Sequence, residues 1–277
     1  MRKIVFILFC IGSVINLTAQ KTTFPYNGVQ DERSSAFAVT NATIFVTADN
    51  VIENGTLLIE AGKVVAVGKT VTIPAGTATI NMEGKYIYPS FIDPFAAYGL
   101  KKPEKPKNTS GKPQFLSNKK GAFAWNQAIK PEIVAFEQFD KDAKKAEEWR
   151  KLGFGALVSH INDGIMRGTG TLVSLADKPV NELILKEEVA AFQSFNKGIS
   201  TQNYPSSLMG SIALIKQTYF DADWYNNNTD KKEVNISLQK LNDGKSLPTV
   251  IAAADKLTAL RADKLGDELG LQYIIKG

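Results

Sequence analysis

The sequence has 277 residues, with 33 basic and 28 acidic side chains, one histidine, one cysteine and a formal net charge of +5 at pH 7. This mildly basic balance does not indicate a nucleic-acid-binding protein. A single cysteine excludes an internal disulfide framework. A hydrophobic content of 44% in a chain of this length is enough to build a sizeable core.

Residues 1–19 have the pattern of a secretory signal peptide, with Arg2 and Lys3 before a short apolar run and Ala19 at the end. The run is too short to span a membrane. Cleavage after Ala19 would remove Cys10 and two positive charges, which leaves 31 − 28 = +3. We therefore expect an exported protein, periplasmic or secreted, with no membrane contact after signal removal. A lipid anchor at Cys10 and an uncleaved membrane anchor are the alternatives.

Residues 20–37 form a polar lead-in, and residues 38–88 contain short β-rich runs separated by turns. Asn54-Gly55 and Ala61-Gly62 are typical of β-hairpin turns. The pattern predicts a small antiparallel β-sandwich domain over residues 38–88.

Residues 89–277 alternate predicted helices with apolar strands, which indicates an α/β fold. We expect a helix from Pro131 to Gly153, followed by a buried strand over residues 155–159 that completes a β-α-β unit. Later helices are predicted over residues 206–225, 231–241 and 256–269, the last capped by Asp255 and ended by Gly270, and strands over 247–254 and 271–275.

Two segments interrupt this alternation. Residues 101–120 hold seven lysines and several prolines. We interpret them as a solvated loop, and a patch that binds an anionic ligand is the alternative. Residues 165–200 are predicted to form an antiparallel insertion.

The chain resembles the amidohydrolase superfamily, specifically the imidazolonepropionase-like metal-dependent hydrolases. The resemblance rests on the run Gly62–Gly68, on Gly84-Lys85, and on Pro89 to Asp93. It implies a small β-domain followed by a (β/α)8 TIM-like barrel, of which four strands, about the first half, are predicted here. The barrel is thus expected to be truncated.

In that family the Asp is followed by a His-x-His pair that binds the metal, and the matching positions here are Phe95 and Ala97. A phenyl ring and a methyl group offer no lone pair to an ion. The weak candidates for catalytic residues are therefore His160, Asp93 and Asp163. His160 is interpreted as a ligand or base at the barrel mouth, or as a polar residue that caps the strand.

Two functions follow from these observations. The first is an exported, catalytically degenerate module that acts as a structural or partner-binding half and needs no cofactor. The second is a hydrolase of C–N bonds that uses zinc or another divalent metal. An open half-barrel leaves an edge uncovered, so we expect a second polypeptide or self-association to cover it, and no nucleic acid.

Overall fold

The computed structural model describes residues 36–106, 112–228 and 233–277. The chain divides into two compact units, one up to Pro89 and one from Ser90 to Gly277. The predicted signal peptide and nearly all of the lead-in lie outside the described residues. Within the described ranges, no helix combines the length and the apolar character needed to cross a membrane.

The first unit is a five-stranded sheet in the order β3-β2-β1-β4, with β5 also paired to β1. Its strands are β1 (Phe37–Thr47), β2 (Asn50–Glu60), β3 (Lys63–Gly68), β4 (Ala78–Asn81) and β5 (Tyr86–Ile87). The first three are antiparallel, whereas β4 and β5 run parallel to β1. The expected antiparallel sandwich is therefore corrected to a mixed sheet, because the chain after β3 joins β1 from its other side.

One of the two expected turns also differs. Ala61 and Gly62 both have positive φ and connect β2 to β3, as a tight hairpin requires. Asn54 instead lies inside β2 with a φ of 50°, at a register shift between the two first strands. The Asn54-Gly55 signal therefore marks a bulge within a strand.

The second unit contains a six-stranded sheet in the order β11-β10-β9-β8-β7-β6. Its strands are β6 (Phe91–Ala96), β7 (Phe154–Ser159), β8 (Met166–Ser174), β9 (Ile184–Ser194), β10 (Thr249–Ala252) and β11 (Tyr273–Lys276). The pairs β6-β7, β9-β10 and β10-β11 are parallel, and β8 is antiparallel to both of its neighbours. The chain is thus mixed α/β, and its larger sheet is barrel-like.

The expected insertion over residues 165–200 supplies the central strands of this sheet. β8 is buried along most of its length, and β9 also pairs in parallel with β10. A strand buried on both faces needs neighbours and cover that an appended hairpin lacks. The segment is therefore part of the main sheet, not an insertion outside it.

The four longer helices of the second unit begin where a side chain caps them. They are a short 3-10 helix (Ala135–Gln138), α1 (Ala143–Lys151), α2 (Val180–Leu183), α3 (Leu208–Asn227), α4 (Ile236–Asp243) and α5 (Lys256–Leu269). Ser207 and Asp255 accept hydrogen bonds from the first turns of α3 and α5. Gly270 ends α5 in the left-handed conformation. The predicted cap and end of α5 are confirmed.

The expected helix start at Pro131 is wrong. Asp142 caps α1 eleven residues later, and the chain before it pairs with β8 through bridges at Ile129 and Val134. The backbone groups of this stretch bond to the sheet, as when Thr169 N donates to Ile133 O at 2.9 Å. Helical periodicity could not reveal that competing partner.

Gly168 in β8 provides a test of this packing. Its φ is +81°, and a Cβ there would overlap the carbonyl oxygen of Ile133. We expect Gly168→Ala to lower the free energy of unfolding by about 3 kcal/mol, from backbone strain and a steric clash together. Gly270→Ala is the control, since its φ is +66° with nothing within 4 Å of the added carbon. It should cost only about 1 kcal/mol. Equal losses in urea denaturation would contradict the packing argument.

Candidate functional site

Five strands of the larger sheet end at the same edge. β6, β7, β9, β10 and β11 all run in one direction, and β8 runs the opposite way. The carboxyl ends of the five strands therefore lie beside the start of β8. In open α/β sheets and barrels this is the edge where ligands bind. We call it the mouth of the sheet.

The positions that match the family's metal ligands lie at the end of β6. The Phe95 ring packs against His160, with centroids 4.3 Å apart, and against Phe192 at 5.7 Å. Ala97 is exposed. Asp93 accepts a hydrogen bond from the backbone N–H of Phe95 at 2.9 Å and so fixes the local turn. Of the two positions that match the family's ligand pair, one thus holds an aromatic contact and the other an exposed methyl group.

His160 is buried, with 1% of its surface exposed. Its ring stacks on Phe192 at 3.9 Å with an interplanar angle of 8°. Its backbone N–H donates to Ala96 O at 2.9 Å, but neither ring nitrogen has a hydrogen-bond partner among the described residues. Burial, followed by the charge of Arg167, lowers the pKa of His160 to about 3. The ring is therefore neutral at physiological pH and belongs to an aromatic cluster.

Asp163 is also buried, but it has its own partners. Its carboxylate pairs with Lys130 and accepts a hydrogen bond from the backbone N–H of Ile199 at 2.7 Å. It therefore anchors the chain after β9. This carboxylate is engaged in an ion pair and a turn, and it does not stand free beside His160.

The three candidates from the sequence thus serve three separate contacts. Within the described ranges, no group of three or more His, Cys, Asp or Glu residues could hold a metal ion. Imidazole and carboxylate donors bind zinc only when their lone pairs converge on one point. The described residues at the mouth do not present such a convergent set of donors.

Sequence reasoning missed Arg167, which follows the first residue of β8. Only 7% of its surface is exposed. Its Nε donates to Gly164 O at 3.1 Å, while Nη1 has no partner among the described residues. Burial lowers the pKa of Arg167 to about 10, against the raising effect of Asp163. A lone charge inside an apolar, glycine-rich run was the signal that could have revealed it.

A cleft of about 780 Å³ opens at the mouth. Its wall includes the ends of β9, β10 and β11 and the first residues of α3. Three of its lining side chains are cationic, and the apolar ones include Phe95, Phe195 and Leu208. Its lining residues include Phe95, Arg167, Lys197, Ser207, Leu208 and Lys276.

The lysine-rich segment lies partly beside this region. Gln114 and Asn203 exchange two hydrogen bonds, at 2.7 and 2.8 Å. Lys101, Lys102 and Lys105 are exposed. These hydrogen bonds attach the segment to the rest of the unit at Gln114, while the three lysines are exposed to solvent.

The arrangement of strands and helices defines an amidohydrolase-like fold. A solved amidohydrolase from Thermotoga maritima is similar to this chain at 19% identity and a TM-score of 0.65, over 86% of this chain and 63% of that one. At this identity the likeness concerns the fold alone, and it confirms the resemblance inferred from the sequence at that level.

Two other solved structures match with lower scores. A dihydroorotase is 12% identical with a TM-score of 0.34, over 87% of this chain and 50% of its own. An N-acetylglucosamine-6-phosphate deacetylase from Pasteurella multocida is 15% identical with a TM-score of 0.31, over 87% and 50%. The chain therefore spans between half and just under two thirds of the length of these structures. No protein-family model matches the chain, and no curated protein matches it.

The single histidine permits a direct test of the site. We expect the His160 ring signals in NMR spectra of the untagged protein to show no titration between pH 8 and about pH 4, because the folded-state pKa is about 3. Titration near the ordinary value of 6.5 would contradict the buried position.

The same shift makes stability depend on pH. Above pH 6.5 the ring is neutral in both states, so it adds no pH dependence. Between 6.5 and about 3 the unfolded chain binds a proton that the folded chain does not. As the pH is lowered through this range, His160 should therefore reduce the free energy of unfolding by about 1.4 kcal/mol for each pH unit. His160→Phe should lack this component of the slope in denaturation measured across the range.

Proposed function

We propose that this chain is an amidohydrolase-like module that has lost metal-dependent hydrolysis and serves as a structural or partner-binding half. The observation that carries the proposal is the aromatic contact at the mouth. Phe95 occupies a ligand position, and it packs on the neutral ring of His160. An apolar contact in that place removes lone pairs and admits no hydrated ion.

The finer description of the fold belongs to the same proposal. We infer that the second unit corresponds to the first half of a (β/α)8 barrel. The parallel pair β6-β7 with α1 between them, and β10-α5-β11, have the form of barrel units. The antiparallel strand β8 is the departure from a regular barrel.

The second candidate is a metal-dependent hydrolase of C–N bonds, and the fold likeness to an amidohydrolase favours it. It would require Asp93 and His160 to gather with other carboxylates around an ion. Against it stand the engaged carboxylate of Asp163 and the stacked ring of His160. We therefore rank it second.

Export remains part of the proposal. It is supported by the charged start, short apolar run and small residue over residues 1–19. The module would then act in the periplasm or outside the cell.

We also propose that a second polypeptide or a second copy of the chain covers the ends of the larger sheet. β11 and β6 are its outermost described strands. Both carry exposed apolar side chains, namely Ile274, Ile275, Phe91 and Ile92. Unpaired strand edges with apolar side chains favour association.

Metal binding tests the first proposal. We expect the purified wild-type protein to contain substoichiometric zinc, manganese and cobalt by elemental analysis, and to leave cyclic amides and dipeptides intact when these ions are added. The double variant Phe95→His, Ala97→His restores two imidazoles and should bind zinc more tightly than the wild type. Stoichiometric metal in the wild type, with turnover lost in His160→Ala, would establish the hydrolase instead.

Association can be measured by light scattering and sedimentation over a range of concentrations. If copies of the chain pair through β11, Ile274→Lys should shift the population to monomer, since a buried unpaired charge opposes the contact. Val64→Lys is the matched control, because Val64 is a strand residue of the first unit with a similar exposed fraction, 62% against 55% for Ile274. A wild-type chain that stays monomeric throughout contradicts self-association.

A further inference from the structure

The side chains that line the cleft at the mouth carry an unbalanced charge. Arg167, Lys197 and Lys276 line the cleft, and none of the lining side chains is acidic. Lys276 places its ammonium 5.3 Å from the centre of the Phe95 ring. Lys197 donates to the carbonyl oxygen of Gln202 at 2.5 Å, so its charge is held at the rim by the protein itself. The cleft therefore combines fixed positive charge with an apolar wall.

Arg167 is the most informative of these charges, because it is more than nine-tenths buried. Its nearest buried acid, Asp163, already pairs with Lys130. The group of Lys130, Asp163 and Arg167 thus carries a net charge of +1. Taking a guanidinium out of water is costly unless a partner satisfies its donors. Nη1 is closed off from solvent and has no such partner among the described residues, while the side chain itself lines the cleft.

Helix α3 adds backbone donors to the same wall. It is 20 residues long, and Ser207 and Leu208 at its start line the cleft. Ser207 Oγ accepts from the N–H of Gly210 at 3.1 Å. The first N–H groups of a helix have no intrahelical acceptor, and the helix dipole favours an anion there. The start of α5 is different, since the Asp255 carboxylate caps it.

We propose that this cleft binds a small organic oxyanion, a carboxylate or a phosphate monoester, whose charged group pairs with Arg167. Arginine presents a planar fork that matches both groups. The remainder of the ligand would lie along Phe95, with Lys276 and the start of α3 completing the charged side. A volume of about 780 Å³ lies within the range of small-molecule sites.

Binding of an anion here requires neither metal nor hydrolysis. The inference rests on the proposed function only in treating the mouth as a binding cleft. Stoichiometric zinc with turnover would overturn the proposed function and leave anion binding to be decided by its own measurement. Conversely, failure of anion binding would not alter the metal result.

Isothermal titration with benzoate and with inorganic phosphate at low ionic strength tests the inference. The wild type should bind at least one of the two anions with one site per chain, and which one binds separates carboxylate from phosphate recognition. Benzamide, which is neutral and has nearly the shape of benzoate, should not compete. Arg167→Met should weaken binding about tenfold to a hundredfold, as expected for a lost charge-assisted hydrogen bond.

Two further variants keep the test decisive. Lys276→Met changes an exposed side chain at the cleft, and should weaken binding about two- to fivefold with a smaller dependence on salt. Lys264→Met removes an equal charge from the exposed face of α5 and should leave affinity unchanged. If Arg167→Met fails to fold by circular dichroism, the contrast between the two lysine variants decides. The proposal is overturned if neither anion binds at about 10 mM, if benzamide binds as well as benzoate, or if both lysine variants behave alike.

Discussion

The stacking of His160 on Phe192, with Phe95 against both rings, is the contact on which the mouth of the larger sheet depends. It joins the end of β6, the residue after β7 and the body of β9. The three rings exclude water from one another, so the imidazole must remain uncharged. The same contact thus packs the strand ends together and keeps the single histidine buried and neutral.

The other charged side chains at this edge differ in whether the surrounding structure supplies them with partners. Asp93 uses its carboxylate to shape the turn before Phe95, and Asp163 uses its carboxylate to hold Lys130 and the chain after β9. Each acid thus accepts from donors nearby in the fold, Asp163 from two of them and Asp93 from one. Arg167 is the exception, because its burial is not matched by a full set of acceptors.

Features set by a few neighbouring residues could be predicted from the sequence. Asp255 and Gly270 bound α5 as expected, since capping depends on the backbone within one turn. Features set by distant partners could not. Residues 129–134 pair with β8 instead of forming a helix, and residues 166–194 enter the centre of the sheet because β10 accepts β9 as a parallel neighbour.

At the candidate site, too, features set by single residues could be predicted and features set by distant partners could not. That Phe95 and Ala97 offer no lone pair to an ion follows from their side-chain chemistry alone. The burial of His160 between two rings could not, because Phe192 lies thirty-two residues away in the sequence. Arg167 reaches the mouth only because β8 runs opposite to the five other strands and so begins where they end.

The aromatic ring at Phe95 and the cationic side chains of the cleft can be compared by where positive charge lies at the mouth. In the enzymes that this chain resembles, an ion held by imidazoles places positive charge at the end of the first barrel strand. Here that position holds an aromatic ring, and positive charge comes from Arg167 and Lys276 on the walls of the cleft. A metal ion polarises a bound oxygen and activates water, whereas a guanidinium binds an oxyanion by paired hydrogen bonds and leaves it unchanged. On the function proposed above, a mouth that carries guanidinium and ammonium groups is suited to binding an oxyanion and leaving it intact.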